Sequence, residues 1–314
     1  MQVFRNPDEI PSGFGSTVVS VGNFDGVHLA HQHVLREVVH RAQELDAKSM
    51  AVTFEPHPVR ILRPDVAPKL ITPLPVKLKL LESTGLDALL VVPFTRDFSM
   101  TSPRDFAGEI LARKLRAKEV HEGANFHFGH KAEGNVVKLA ELGMHFGFEL
   151  KVYPELKIRR DVVSSSRIRE LLRAGNVARA QRLLGRAFSL VAHPGRGRGY
   201  GHRYTVPTIN LTQYEELAPG DGVYITRTRI AEEHFDSVTN IGNRPTIGEP
   251  SFAIETHLLH FHPVELAPET EVEICFLRRL RGEIKFPSVD ALRAQIARDV
   301  TRARRYFHLL ERHC

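Results

Sequence analysis

Cysteine and tryptophan are scarce in this chain: cysteine occurs twice, at Cys275 and Cys314, and tryptophan does not occur. The two cysteines form no Cys-x-x-Cys pair, which argues against a disulfide framework and against a thiolate zinc site. We expect both to be free thiols. No apolar run approaches the roughly 20 residues that cross a bilayer, and the N-terminal residues lack the apolar core of a signal peptide. These absences predict a cytoplasmic protein with no membrane partner.

The composition is that of a globular protein with an excess of positive charge. Hydrophobic residues make up 42% and charged residues 25% of the 314 residues, which leaves room for roughly two domains. The net charge of +6 would suit a nucleic-acid-binding protein or an enzyme that uses polyphosphates. Five arginines of a C-terminal helical pattern favour a solvent-exposed helix face: Arg293, Arg298, Arg302, Arg304 and Arg305. Because no run interleaves aromatic with basic residues, the sequence argues against a nucleic-acid partner.

Short β-type runs alternate with helical patterns up to about residue 155, which is typical of an α/β fold with a parallel sheet. The predicted strands are 17–21, 50–54, 88–93, 118–122 and 148–152. The helix after the first strand has apolar residues at helical spacing and is expected to pack on this sheet. Residues 164–185 predict two short helices, separated by Gly175 and Asn176 and ended by Gly185.

From residue 188 the pattern changes to β runs without intervening helices. The predicted strands are 188–192, 206–211, 222–230, 237–241, 252–259 and 271–280, and their Gly and Pro turns predict a small antiparallel barrel. A final helix over about 288–310 places Leu292, Ile296, Val300 and Phe307 along one flank, which is expected to cover part of the barrel. The predicted domains are therefore 1–185 and 186–314.

The first candidate site is the turn between the strand at 17–21 and the helix that follows it. Residues 22–31 read Gly-Asn-Phe-Asp-Gly-Val-His-Leu-Ala-His, so His28 and His31 lie three apart at the start of a helix. Helix N-termini attract anions because their first amides are unpaired, and the two imidazoles add donors for a phosphate. Gly22 and Gly26 permit the tight turn. A bare His-x-x-His also fits a pair of metal ligands or two surface histidines.

These ten residues resemble the nucleotidyltransferase signature, usually Gly-x-Phe-Asp-Gly-x-His-x-Gly-His, of the flavin adenylyltransferase module of bacterial bifunctional riboflavin kinase/FAD synthetases. Ala30 replaces the usual glycine. The resemblance implies a Rossmann-like nucleotidyltransferase domain in which His28 and His31 steady the triphosphate of ATP. The phosphate of FMN then attacks the α-phosphorus and pyrophosphate leaves. It also assigns Gly22, Asn23, Asp25 and Gly26 to the ATP phosphates.

Three further segments of the first domain are similar to family motifs. Residues 164–169, Ser-Ser-Ser-Arg-Ile-Arg, cap a helix and, by resemblance, place Ser164, Ser165 and Arg167 on the phosphates. Residues 122–134 border the ATP and flavin site in the family, which implies a nucleotide or flavin contact for Asn125 and Phe128. His57, in Phe-Glu-Pro-His-Pro, either touches substrate or is a structural histidine beside two prolines.

The second candidate site begins with glycines at every second position of residues 195–201. Gly195, Gly197 and Gly201 would let the backbone bend around phosphate oxygens, although a flexible loop explains the run as well. Thr208 and Asn210 stand two apart, so on a strand both point to one face. Their oxygens suit magnesium beside ATP phosphates. A buried, hydrogen-bonded polar pair is the alternative.

The segments 222–224, 240–246 and 254–259, together with Pro-Thr-x-Asn at 207–210, are similar to riboflavin kinase motifs in the expected order. This resemblance implies that Thr208 and Asn210 bind Mg²⁺ and ATP, and that Glu255 is the base that activates the ribityl hydroxyl of riboflavin. The chain departs from the family at 201–205, where Gly-His-Arg-Tyr-Thr stands, and at His260 and Phe261, where Asp-Phe is usual. These departures concern loop geometry more than the reacting groups.

The resemblance extends over essentially the whole chain and implies a bifunctional enzyme. Its barrel would phosphorylate riboflavin to FMN with MgATP, and its α/β domain would convert FMN to FAD with a second ATP. One alternative retains only the adenylyltransferase activity, and the other is a basic nucleic-acid-binding protein. The expected partners are small molecules, and the sequence leaves the oligomeric state open.

Overall fold

The computed structural model of the protein describes residues 1–195, 208–211, 214–244, 251–262 and 267–312. The chain forms two compact units, Met1–Ser165 and Ser166–Cys314. The predicted boundary between residues 185 and 186 stays a prediction. Among the described residues, no helix combines the length and the apolar character needed to span a membrane.

The first unit alternates strands and helices along the chain. Its strands are β1 (Gln2–Phe4), β2 (Thr17–Val21), β3 (Lys48–Glu55), β4 (Ala88–Pro93), β5 (Ala117–Gly123), β6 (His127–Phe128), β7 (Gly134–Asn135), β8 (Glu149–Tyr153), β9 (Lys157–Ile158) and β10 (Asp161–Val162). Its helices are α1 (Leu29–Glu44), α2 (Pro58–Leu62), α3 (Leu74–Glu82), α4 (Pro103–Asp105), which continues as a π-helix over Phe106–Lys114, and α5 (Val136–Phe146). Short 3-10 turns occupy Pro7–Glu9, Pro64–Val66, Phe98–Met100 and His130–Ala132.

Six parallel strands form the central sheet in the order β1-β4-β3-β2-β5-β8. Alternate residues of β2 pack into two different hydrophobic cores, because successive side chains of a strand point to opposite faces of the sheet. Val19 and Val21 pack with residues of the π-helix and α5, whereas Val18 packs with the buried face of α1. Both faces of the sheet are therefore covered, and the predicted α/β class is confirmed.

The strand order places a crevice at the carboxyl end of β2. The chain leaves β2 for β3 on one side, whereas β5 lies on the other side, which makes β2 and β5 the point where the strand order reverses. The β2–β3 pairing runs to Val21↔Val52, but the β2–β5 pairing ends at Val19↔Val120. Ligands of open parallel sheets bind beside such a separation.

The second unit begins with α6 (Ser165–Arg173), whose first residue still belongs to the first unit, and α7 (Val177–Leu184). Its strands are β11 (Phe188–Ala192), β12 (Thr208–Asn210), β13 (Gly222–Ile230), β14 (Glu233–Arg244), β15 (Ser251–Leu258) and β16 (Val272–Arg281), and its last helix, here α8, is Val289–Glu311. These strands form an antiparallel sheet in the order β11-β16-β13-β14-β15-β12. A bridge between Pro194 and Leu211 joins the two edge strands, so the predicted small barrel is confirmed.

The C-terminal helix covers the sheet over only part of its length. Val300, Ala303 and Phe307 pack against the apolar residues of β13 and β14. The prediction that the helix covers part of the barrel is confirmed, although Leu292 and Ile296 of the predicted flank remain 39% and 43% exposed. Helical spacing fixes which residues share a face, but it does not fix how far the neighbouring sheet extends along that face.

Candidate functional sites

The turn between β2 and α1 is held in an unusual backbone conformation. Phe24 and Val27 have φ values of 45° and 38°, and Gly26 has 90°. A β-branched residue such as Val27 rarely adopts positive φ, so the surrounding contacts must impose the turn. The N–H of Gly22 donates to the carbonyl of Val52, and the N–H of Gly26 donates to Thr72 Oγ.

The Asp25 side chain holds this turn in place through hydrogen bonds. Its side chain is 1% exposed and accepts hydrogen bonds from the backbone N–H groups of Ile71 and Thr72 at 3.1 and 2.9 Å. These bonds tie the turn to the segment that precedes α3. The phosphate-binding roles of Gly22, Asn23, Asp25 and Gly26 stay predictions, and the geometry supports a positioning role for the Asp25 carboxylate.

His28 and His31 meet at the start of α1, as the three-residue spacing predicts. Their rings stack with centroids 3.6 Å apart, and His28 Nδ1 accepts a long hydrogen bond of 3.4 Å from the His31 N–H. Burial, together with the nearby His28 and Lys77, holds the pKa of His31 well below its usual value. His31 Nδ1 is buried and has no hydrogen-bond partner among the described residues. The start of α1 therefore has backbone amides without an intrahelical partner and, among the described residues, an imidazole nitrogen without a hydrogen bond.

The serine motif lies against the same turn. Ser165 Oγ donates to the carbonyl of Asp25 at 2.7 Å, although the two residues are 140 positions apart in the chain. Ser164 directly precedes it, so the two hydroxyl side chains stand at the start of α6 beside the first site. Arg167 lies in the first turns of α6 and forms an ion pair with Glu170 at 2.9 Å. The phosphate contacts of these residues stay predictions.

The three predicted flavin or nucleotide contacts occupy different surroundings. His57 is 7% exposed and caps α2, because its Nδ1 accepts from the N–H of Val59. Asn125 is exposed in the turn after β5. Phe128 is 8% exposed and packs on Phe126 within the core of the first unit. His57 thus has a structural role whether or not it also contacts substrate.

Two buried ionisable residues at this end of the sheet were not predicted. Lys77 of α3 is 1% exposed. Glu122 at the end of β5 is 3% exposed, and its carboxylate accepts from the Val21 N–H at 2.6 Å in the gap between β2 and β5. Burial raises the pKa of Glu122 well above its usual value, although the Val21 hydrogen bond lowers it. No local sequence pattern distinguishes these residues from exposed lysines and glutamates.

In the second unit, strand register brings the predicted kinase residues together. Asn210 of β12 pairs with Glu255 of β15, which pairs in turn with Asn240 of β14. Directly opposed residues point to the same face, and Thr208 shares that face because it lies two positions from Asn210. Gly195 donates its N–H to the carbonyl of Asn210 at 2.8 Å. Gly197 and Gly201 lie outside the described residues.

The donors on this face fit magnesium. A Thr hydroxyl, an Asn amide oxygen and a carboxylate are hard oxygen ligands, which Mg²⁺ prefers, with waters and phosphate oxygens completing its shell. The side chains of Thr208 and Asn210 are both partly exposed, whereas Ile209 between them is 6% exposed and points inward. Among the described residues, no group of three His, Cys, Asp or Glu side chains could hold a metal ion by itself.

Both halves of the chain match known families. Residues 11–167 match the FAD synthetase family, and residues 184–307 match the riboflavin kinase family. The chain is 33% identical over 296 residues to the bifunctional riboflavin kinase/FMN adenylyltransferase of Escherichia coli K12, with 93% of each chain covered. It is 32% identical over 309 residues to the protein of that name from Haemophilus influenzae, covering 98% of this chain and 100% of the relative.

A solved structure shares the fold over nearly the whole chain. It is a crystal structure described as a macrolide-efflux protein from Streptococcus pneumoniae, with a TM-score of 0.86 and 25% sequence identity. The match covers 96% of this chain and 98% of that one. The match therefore includes residues of both units.

Proposed function

Because the chain belongs to the family of bifunctional riboflavin kinase/FMN adenylyltransferases, we propose that its two units act in succession on one vitamin. The second unit transfers the γ-phosphate of ATP to riboflavin and forms FMN. The first unit transfers the adenylyl group of ATP to FMN and forms FAD, with release of pyrophosphate. The observation that carries this proposal is the presence of both family domains, in order, in one chain that matches its relatives over nearly their full length.

In the first unit, the turn after β2 provides the ATP site. Backbone N–H groups at the start of α1 and the imidazoles of His28 and His31 bind the triphosphate, since both chemical features favour anions. We assign Ser164 to the phosphates as well, and Ser165 positions the motif there, because its hydroxyl donates to the carbonyl of Asp25. A phosphate oxygen of FMN attacks the α-phosphorus of ATP, the bond from that phosphorus to the bridging oxygen breaks, and pyrophosphate leaves. Positioning and charge stabilisation supply most of the catalysis in such a transfer.

In the second unit, the row across β12 and β15 provides the kinase site. Glu255 is the general base, because a carboxylate within hydrogen-bond reach of an alcohol accepts its proton as the oxygen attacks the γ-phosphate. Thr208 and Asn210 would hold magnesium, which when bound neutralises charge on the ATP phosphates. Gly195, next to Asn210, begins the segment that we assign to the nucleotide phosphates.

A time course with riboflavin and MgATP tests this function. The purified protein is incubated with both, and riboflavin, FMN and FAD are separated by chromatography. We expect FMN to rise first and FAD to follow. FAD formation from added FMN, without FMN formation from riboflavin, would favour the alternative in which only the adenylyltransferase remains. If neither product forms, the proposal is wrong, and a salt-dependent gel shift then tests for nucleic-acid binding.

A further inference from the structure

Lys77 is a buried lysine near the first candidate site. It lies in α3, where its side chain is 1% exposed, while Lys79, two residues further along the helix, is exposed. Burying an ammonium group is costly unless nearby groups compensate its charge. The position of Lys77 therefore calls for a physical explanation that Lys79 does not need.

The charged groups around Lys77 come from four elements. The carboxylates of Asp25, in the turn, and Glu55, at the end of β3, attract its ammonium, whereas Arg60 of α2 repels it. His31 of α1 lies near enough for Lys77 to disfavour a charged imidazole there. Within the described part of the chain, the Lys77 ammonium forms no hydrogen bond and no ion pair within 4.0 Å.

Asp25 compensates this charge only in part. Its carboxylate already accepts hydrogen bonds from the Ile71 and Thr72 N–H groups. An anion at the start of α1 would supply the missing negative charge. Interactions in such a buried place are stronger than at the surface, because little water screens them. His31, at the start of α1, likewise has a buried Nδ1 without a hydrogen-bond partner among the described residues.

Burial also shapes the charge of this region. It is the main cause of the low pKa of His31, and the nearby His28 and Lys77 lower that pKa further. The pKa of Lys77 is itself lowered, chiefly by burial, while Asp25 and Glu55 oppose that shift. The two nearby carboxylates therefore favour the charged form of the lysine, and a bound anion would favour it further.

We propose that Lys77 is a positioning residue for adenylyl transfer: its buried amino group, on the helix that follows the Asp25-bonded segment, supplies positive charge beside the triphosphate at the start of α1. This inference rests on the proposed FMN adenylyltransferase activity of the first unit. Lys77 acts through the electric field at the start of α1, without itself contacting the reacting atoms.

Replacing the lysine by a neutral side chain of similar length tests this role. We compare Lys77→Met, Lys77→Arg and the exposed control Lys79→Met in FMN-to-FAD conversion, with ATP concentration and pH varied. For Lys77→Met we expect the KM for ATP to rise at least about tenfold, with a smaller effect on kcat. The acid limb of the pH–rate profile of Lys77→Met should move to higher pH, because His31 is protonated more easily without the nearby lysine. Lys77→Arg should restore the KM for ATP, and Lys79→Met should match the wild type.

Controls separate this role from a merely structural one. The thermal melt reports whether each variant is folded, and riboflavin phosphorylation by the second unit shows whether the loss is confined to the first unit. A folded Lys77→Met protein with unchanged KM for ATP and unchanged acid limb would overturn the inference. So would equal losses in Lys77→Met and Lys77→Arg without a shift of the pH profile, which is what a packing defect produces.

A measurement on the wild-type protein keeps the inference testable if Lys77→Met does not fold. The titration of the Lys77 amine is followed by NMR against pH with and without ATP, and its resonance is assigned from the Lys77→Arg variant. The expected result is a titration that moves to higher pH when ATP is bound, because a nearby anion favours the charged amine. The same titration with and without bound ATP contradicts the inference. Absence of FAD formation in the wild type would instead refute the proposed function on which it rests.

Discussion

Two acids of β5 experience opposite surroundings although they are three residues apart. Glu119 accepts hydrogen bonds from Arg41 at 2.5 and 3.1 Å and bonds to His121 at 2.9 Å. The Arg41 hydrogen bond, opposed by burial, lowers the pKa of Glu119 to about 2. Burial raises the pKa of Glu122 well above its usual value, although the hydrogen bond from the Val21 N–H opposes this shift. Glu119 therefore stays charged, while Glu122 favours its proton.

The pH dependence of stability provides a test at Glu122. Above its usual pKa of 4.5 the unfolded chain loses the proton, whereas the folded protein retains it up to the raised pKa. The folded state binds more protons in this window, so its stability falls as pH rises. Glu122→Gln, which keeps an acceptor for the Val21 N–H, should remove this fall and be more stable than the wild type at neutral pH.

Urea unfolding of the first unit between about pH 5 and pH 8 measures this effect. Glu149→Gln, at an exposed position of β8, is the matched control and should leave the slope unchanged. If the free energy of unfolding depends on pH in the same way for Glu122→Gln and the wild type, Glu122 is ionised in the folded protein.

At the scale of elements, α8 is a helix with two different halves. Its C-terminal half packs Ala303 and Phe307 on the barrel, and Asp299 binds Arg281 of β16 at 2.9 Å. Its N-terminal half leaves Leu292 and Ile296 exposed. The five predicted arginines are exposed as expected. Only the C-terminal half of the helix can therefore contribute much apolar burial to the stability of the second unit.

Truncation of one residue in each half tests this division. Phe307 is 4% exposed, so Phe307→Ala should lower the free energy of unfolding of the second unit by about 3–5 kcal/mol. Leu292→Ala, at an exposed position, should change it by less than about 0.5 kcal/mol. Urea denaturation followed by loss of riboflavin phosphorylation measures both. Equal effects would mean that the N-terminal half is also buried in solution.

At the scale of the whole molecule, one chain holds two candidate sites, one in each unit. Each candidate site brings together segments that are distant in the sequence. In the first unit Ser165 reaches Asp25, and in the second Asn210 stands opposite Glu255. FMN is the product of the reaction proposed for the second unit and the substrate of the reaction proposed for the first. Supplying either riboflavin or FMN therefore distinguishes the two reactions in an assay.

Loss of the proposed base should block only the first reaction. Glu255→Ala should nearly abolish FMN formation from riboflavin, because no carboxylate accepts the hydroxyl proton. Conversion of added FMN to FAD should continue at the wild-type rate. Chromatography of the flavins measures both reactions, and an equal loss of the two would refute the assignment of the kinase to the second unit.

Loss of both stacked imidazoles should give the reverse pattern. With riboflavin and ATP, His28→Ala/His31→Ala should accumulate FMN and form little FAD, since the triphosphate loses two donors at the start of α1. The kinase rate serves as the internal control for folding. Undiminished FAD production would remove the adenylyl site from this turn.

Much of the fold follows from local patterns. The strands at 88–93, 188–192 and 222–230 and the ends of α6 and α7 agree with the sequence prediction, because turn residues and apolar alternation act over short distances. The three-residue strand Gln2–Phe4 was not predicted, since its place beside β4 depends on pairing across the chain. The turn at residues 22–31 was predicted with its histidines, but the roles of the candidate site residues stay predictions.

The sequence by itself determined the order of the two domains, the strand-to-helix turn with His28 and His31, and the Thr208 and Asn210 pair, because spacing along the chain is enough to specify them. Only the tertiary structure decided which lysine of α3 is buried, that Glu122 bonds to Val21 in the gap between β2 and β5, and that burial lowers the pKa of His31. The physical reason is that charge states depend on removal from water and on neighbours brought together by folding. The spacing of residues along the chain specifies neither their burial nor these neighbours.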